Sequence, residues 1–159
     1  MKKILFATSE AVPFIKTGGL ADVAGSLPKF FDKEKYDVRV MLPKYMCMKE
    51  SWKKSFSIRR IFIWILAGGH SMSGFWRQSM KESPLFIDNE FYFNGFAPYG
   101  EMYTDVEKFS FFSKAVLSAL PVIDFRPDII HCHDWQTGLI PIFLDNFGIP
   151  VNITAESRL

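Results

Sequence analysis

Lys16-Thr17-Gly18-Gly19-Leu20-Ala21-Asp22-Val23 comes shortly after the apolar run Ile4-Leu5-Phe6-Ala7. A cation and two residues without side chains therefore stand where a first strand passes into a first helix. In open α/β sheets phosphates are held at that junction: amide N–H groups at a helix start carry partial positive charge, and glycine lets a ligand approach the chain closely. Each such contact contributes roughly 0.3–1 kcal/mol when exposed and up to about 2 kcal/mol when partly buried. The same residues also make an ordinary tight turn with a solvated lysine. By itself the stretch leaves both readings open.

Working outward, residues 3–7 read as a strand and residues 19–31 as a helix. Leu20, Val23, Ala24, Leu27 and Phe31 form the apolar face of that helix, and Pro28 should tighten its later turns. Residues 37–42 alternate Val38, Val40 and Leu42 and read as a second strand, ended by Pro43. Residues 58–66 and 85–88 are strand-like, whereas 68–83 has no clean period and reads as loop. Thr104 and Glu107 have the spacing of a capping box. They would open a helix that turns Val106, Phe109, Phe112 (or Ser113), Val116, Leu117 and Leu120 inward and closes at Pro121. The run Ile129-Ile130-His131-Cys132 reads as a buried strand and leads into His133-Asp134-Trp135-Gln136. A helix over 137–147 follows, and residues 151–159 begin one more strand. This alternation predicts an α/β fold with a doubly wound, mostly parallel, Rossmann-like sheet. Ligand loops should lie on the carboxyl edge of such a sheet, so the loops after the first strand and after Cys132 should open together.

The 159 residues are 48% hydrophobic, enough for one core. The absence of any apolar run of about 18 residues speaks against a membrane span. Met1-Lys2-Lys3 and the run behind it superficially resemble a signal peptide, but Glu10 and Pro13 interrupt it. A cytoplasmic location is the expectation. Cys47 and Cys132 lie far apart and suggest neither a disulfide framework nor a zinc site. Net charge is +2, unevenly spread: residues 1–60 carry 13 Lys and Arg against 6 Asp and Glu, and the other 99 carry 6 against 11. The basic part lacks the aromatic interleaving of a single-strand binder, so no nucleic-acid partner is expected. An ordinary charged surface is the first reading of it, and a small anionic ligand near Lys16 also fits.

His131 and His133 would share one side of an extended strand, as metal ligands do, but no third ligand accompanies them. No metal is expected; His131 reads as a core-facing strand residue and His133 as a loop residue. Asp134 either caps the following helix or bonds a ligand hydroxyl. Trp135 is a packing residue or a sugar platform, and Gln136 offers both a donor and an acceptor for polyols. Tyr99, in Ala97-Pro98-Tyr99-Gly100, stacks on sugar or covers the core. Ser9 and Glu10 read first as turn residues and second as residues facing the cleft. G-x-S-x-G, the P-loop pattern and a complete G-x-G-x-x-G are all missing, which weakens nucleophilic hydrolysis, ATP hydrolysis and standard NAD binding.

Several stretches together resemble the opening of bacterial glycogen synthases and plant starch synthases. They are Ile4-Leu5-Phe6, Ser9-Glu10, Pro13-Phe14, residues 16–22, Asp37-Val38-Arg39-Val40-Met41-Leu42-Pro43-Lys44-Tyr45, and residues 86–94, 99–112 and 126–141. The resemblance implies the N-terminal half of a two-domain GT-B glycosyltransferase, which moves glucose from ADP-glucose (or another nucleotide-glucose) to an α-1,4-glucan with retention and needs no metal or other cofactor. It implies that Lys16, Gly18, Gly19 and Asp22 form the donor diphosphate side. It places Asp134 at the donor sugar, Trp135 and Gln136 on the cleft wall, and Tyr99 toward the acceptor glucan. Many relatives carry histidine where Gln136 stands.

Two departures bear on activity. Residues 68–83 do not resemble the family's sheet segment. Residues 151–157 do not carry the family's Thr-Ile/Val-His-Asn histidine, and on this reading its second nucleotide-binding domain is expected to be missing. The expectation is a single, C-terminally truncated domain over 1–159, with no catalytic residue assigned and no turnover of its own. Its uncovered surface would favour self-association. The alternative is a non-catalytic fragment that binds glucan or docks on a synthase.

Overall fold

A computed structural model describes the backbone of residues 1–53, 56–66, 69–78 and 84–146, and the side chains of 1–52 and 84–146. The elements run β1 (Lys2–Ala7), α1 (Gly19–Ser26), β2 (Tyr36–Pro43), α2 (Glu50–Lys53), β3 (Phe56–Leu66), β4 (Gly69–Gln78), β5 (Leu85–Asp88), α3 (Glu90–Phe93), α4 (Met102–Val122), β6 (Ile129–Cys132) and α5 (Ile140–Asn146). Single 3₁₀ turns cover Leu27–Phe30 and Trp135–Thr137.

One sheet has the order β3-β4-β5-β2-β1-β6. Its four strands β5, β2, β1 and β6 are all parallel. The mostly parallel α/β expectation holds. Ile4, Leu5, Phe6 and Ala7 of the inner strand β1 are all buried, because helices and loops cover both faces of a parallel sheet. The core continues through Met41, Leu42, Phe86 and Ile87 to Phe112, Val116 and Leu117 of α4. No helix among the described residues is long and apolar enough to cross a membrane.

The structure corrects several readings. Part of the stretch read as loop is β4, which pairs antiparallel with β3 and with β5. Its two glycines and two serines hide the period, and cross-strand pairing rather than propensity decides its state. The strand expected over 151–159 lies outside the described residues. α4 begins at Met102, a turn ahead of the proposed box, with Glu101 at its N-cap. Thr104 Oγ1 donates to the Glu101 carbonyl at 2.8 Å, and Glu107 accepts from the Tyr92 hydroxyl at 3.0 Å, so the box does not form. Pro121 lies inside the last turn instead of ending the helix before it.

The first helix stops at Ser26, and its tail tightens to 3₁₀ at Pro28 as expected. Its buried face is Ala21 and Ala24, while Val23, Leu27 and Val106 of α4 are exposed. Small residues face inward because the loop after β1 runs close against the helix: Val12 N–H donates to the Ala21 carbonyl at 3.0 Å. A methyl group at Gly25 would stand 2.5 Å from the Val12 carbonyl oxygen and 2.9 Å from its nitrogen. Gly25→Ala should therefore cost about 1–3 kcal/mol, the usual penalty of overpacking. A urea midpoint unchanged from wild type would contradict that close approach.

Candidate functional site

β1 and β6 are adjacent and parallel, with Ala7 opposite Cys132. The loops that leave them emerge side by side on the carboxyl edge, tied by His133 N–H to the Ala7 carbonyl at 3.0 Å. A parallel pair cannot do otherwise, so both predicted loops share one rim.

The first loop turns around a buried acid. Thr8, Ser9 and Glu10 are buried, Glu10 to 3% exposure. Thr8 Oγ1 donates to the Glu10 carbonyl at 2.9 Å, fixing the turn. The Glu10 carboxylate then accepts from Thr17 N–H, from Thr17 Oγ1 at 3.0 Å and from Gly18 N–H at 3.4 Å. The turn reading thus misses what Glu10 does, which is to hold the glycine loop, while Ser9 meets the Tyr99 hydroxyl instead. No local signal marks this, because the partners are seven and eight residues away and, at Tyr99, 89 residues away.

Lys16 Nζ meets both oxygens of Asp22 at 2.8 and 2.7 Å, and both side chains are about half exposed. Gly18 is the N-cap of α1 in extended backbone, and no side chain caps the helix there. A Cβ at Gly18 or Gly19 would meet nothing within 4 Å. Neither packing nor a left-handed backbone asks for glycine at these two positions. Their smallness leaves the backbone uncovered beside Lys16 at one helix start, with the Gly18 N–H turned to Glu10.

Tyr99 reaches this loop from the other side. Its hydroxyl lies 2.8 Å from Ser9 Oγ and donates to Glu10 Oε1 at 3.2 Å. Burial, reinforced by the nearby Glu10, pushes its pKa up to about 12, so it stays a phenol. Its ring packs at 5.9 Å on Phe109, and Trp135 packs on the same ring at 5.3 Å, edge to face. Phe109 thereby joins the two aromatic residues singled out in the sequence.

In the second loop Asp134 adopts φ 62°, ψ 178°, a conformation that suits glycine and strains other residues. Its carboxylate accepts from Trp135 N–H at 2.7 Å at the start of the 3₁₀ turn. Asp134 therefore caps, as one of its two readings proposed, and remains exposed. Relief of this strain is worth about 1–3 kcal/mol, and the lost cap costs a few tenths. Asp134→Gly should consequently fold at least as stably as wild type in urea; a clear loss would argue against strain. Gln136 is buried, and its Oε1 has no partner among the described residues.

His131 is a correction. It is exposed, lying over buried Phe6 at 4.8 Å, so it roofs the core from outside. His133 is the buried member, stacked 4.3 Å from His131. No group of three or more His, Cys, Asp or Glu side chains is gathered for a metal among the described residues.

Residues 3–156 match the family model described as starch synthase catalytic domain. The chain is 58% identical over 145 residues to a glycogen synthase of Lachnospira eligens, and 54% identical over 156 residues to one of Lachnoclostridium phytofermentans. These matches cover 91% and 92% of this chain. Among solved structures it resembles the catalytic domain of starch synthase IV from Arabidopsis thaliana bound to ADP and acarbose, with a TM-score of 0.79 and 30% identity over 94% of this chain. The chain spans 30–31% of the length of these three proteins.

Proposed function

Because the chain belongs to the starch synthase catalytic domain family, we propose that it forms the N-terminal part of a retaining glucosyltransferase that carries glucose from ADP-glucose to an α-1,4-glucan. The supporting observation is the convergence on Tyr99: one hydroxyl binds the loop after β1, and the ring shares Phe109 with the loop after β6. A starch synthase that holds ADP and acarbose has the same fold, which supports a nucleotide on one side and a saccharide on the other.

In this reading Lys16 and the Gly18 and Gly19 amides face the donor diphosphate. When the bond between the glucose anomeric carbon and the diphosphate oxygen breaks, the leaving group gains negative charge. Fixed N–H groups and a lysine stabilise that charge without reorganising. Asp22 aims Lys16 and holds its charge until an anion shares it. Asp134 meets the glucose, Trp135 and Gln136 shape the wall, and Tyr99 faces the incoming glucan. Oriented positioning between two domains can supply roughly 7–11 kcal/mol of the barrier. Residues 1–159 alone, a single domain in this reading, should therefore show no turnover of radiolabelled ADP-glucose.

ADP binding tests the donor side. Titration calorimetry should show weak ADP binding to the chain, and Lys16→Met should weaken it about tenfold, or about 1.4 kcal/mol. The same change should alter stability by less than about 1 kcal/mol, since the Lys16–Asp22 pair is exposed. ADP binding indifferent to Lys16 would remove the donor assignment.

A glucan-binding role without catalysis is the second reading, favoured by the Tyr99 ring lining a cleft of about 380 Å³ with Phe91 and Phe96. It requires that co-sedimentation with glucan vanish on Tyr99→Ala. The exposed Phe30, Phe91, Phe96 and Tyr103 would also favour self-association. We place the protein in the cytoplasm.

A further inference from the structure

We propose that Glu10 is a positioning residue that couples the glycine loop to whatever fills the cleft beside Tyr99. The proposal relies on the functional reading only for the chemistry of the cleft ligand, a glucose oligosaccharide.

Glu10 is buried between the two sides and accepts hydrogen bonds from both. Thr17 and Gly18 donate from the loop, and the Tyr99 hydroxyl donates from the turn. A carboxylate accepts only, and here each of its partners is a donor. Hydrogen bonds to a charged group are roughly twice as strong as neutral ones. Removing a donor on one side therefore alters how firmly the other side is held.

Tyr99 also has a second environment. Its ring lines the cleft bounded by α3, the turn over 94–100 and the start of α4, where Phe91, Tyr92, Phe96 and Glu107 form other walls. The backbone of this turn is fixed separately: Gly100 N–H donates to Asp105 at 2.8 Å and Lys108 to the Pro98 carbonyl at 2.7 Å. A ligand in the cleft thus acts on the Tyr99 side chain while the turn stays in place. A sugar hydroxyl that draws the phenol away takes a donor from Glu10, and the loop carrying the Thr17 and Gly18 amides loosens. By linkage, a ligand that fixes those amides must bias Tyr99 equally.

Amide hydrogen exchange, read residue by residue by NMR on the 159-residue chain, tests this without a ligand. Tyr99→Phe should speed exchange at Thr17 and Gly18 about fivefold, the change that losing one hydrogen bond makes, and leave β1 and α4 amides unaltered. Glu10→Gln, which keeps one acceptor, should have a smaller effect than Glu10→Ala at the same two amides. No change at Thr17 and Gly18 in Tyr99→Phe, or an equal acceleration throughout the chain, would overturn the coupling. Maltotriose is the second probe. In wild type it should speed exchange at Thr17 and Gly18, and in Tyr99→Phe it should not. Signals that shift at Phe91 and Phe96 while Thr17 and Gly18 stay still would also overturn it. Failure of maltotriose to bind would count against the functional reading instead, and the ligand-free comparison would still decide the coupling.

Discussion

Replacing Lys108 by methionine is expected to lower the unfolding free energy by about 3–5 kcal/mol, the range found when one partner of a buried ion pair is removed. Lys108 Nζ lies 2.6 Å from Asp105 Oδ1, and the two side chains are only 11% and 6% exposed. Methionine keeps the length and apolar stem of lysine but takes away the ammonium partner of Asp105 and leaves that carboxylate to the Gly100 amide. It also strips the Pro98 carbonyl of a donor. The effect should reach the site, because Asp105 and Lys108 grip the turn on either side of Tyr99. Urea unfolding of the single variant is the measurement. The double variant Asp105→Leu with Lys108→Met should recover much of the loss, since an apolar pair in place of a buried ion pair is often nearly neutral. A single-variant loss below about 1 kcal/mol would mean that the pair is solvated as a surface bridge is.

The parts of the fold legible in the sequence are those where local pattern and burial agree. β5 occupies the very residues, Leu85–Asp88, whose short apolar run marks it, because both of its faces are covered and no polar face dilutes the signal. β1 is legible for the same reason, while β2 shows itself by the alternation of Val38, Val40 and Leu42 and β6 by the short run Ile129-Ile130 that opens it. β4 is not legible, because a strand held by neighbours on both sides can carry Gly69, Gly74, Ser71 and Ser73 and still pair. The inner face of α1 is misread because periodicity weights Val23 and Leu27 by hydrophobicity. What selects the face is the closeness of Val12, which only Ala21, Ala24 and Gly25 permit. A capping-box spacing at Thr104 is likewise only a spacing. The chain enters α4 through Glu101, and Glu107 is drawn to Tyr92 instead.

The candidate site divides the same way. Lys16, Gly18 and Gly19 stand out because a strand-to-helix junction is a local object, and Asp134 because it follows a strand. Glu10 and Phe109 do not stand out. Each draws its role from contacts with distant segments, Glu10 with Tyr99 and Phe109 with Trp135, and no spacing rule reports such contacts.

Acid should destabilise the fold through His133. Burial, with a smaller contribution from stacked His131, lowers its pKa from 6.5 to about 4. The unfolded chain therefore binds a proton between those values that the folded chain refuses. Stability from this residue is fully present above about pH 6.5 and is lost as pH falls toward 4, by about 3 kcal/mol in all. Below pH 4 both states are protonated and the loss from this residue stops. His131, though exposed, has its pKa lowered by partial desolvation where its ring lies over Phe6, and adds to the slope in the same direction. His133→Phe separates this effect from the carboxylates, which also respond to acid. The position already stacks on Phe6 at 5.3 Å, and its Nε2 has no partner among the described residues, so a phenyl ring gives up no hydrogen bond from that nitrogen. Urea unfolding at pH 7 and pH 4.5 should show a markedly smaller drop in the phenylalanine variant than in wild type. Equal drops in the two proteins would mean that His133 takes its proton in the folded state, which would contradict the burial that holds the loop before Asp134 against β1.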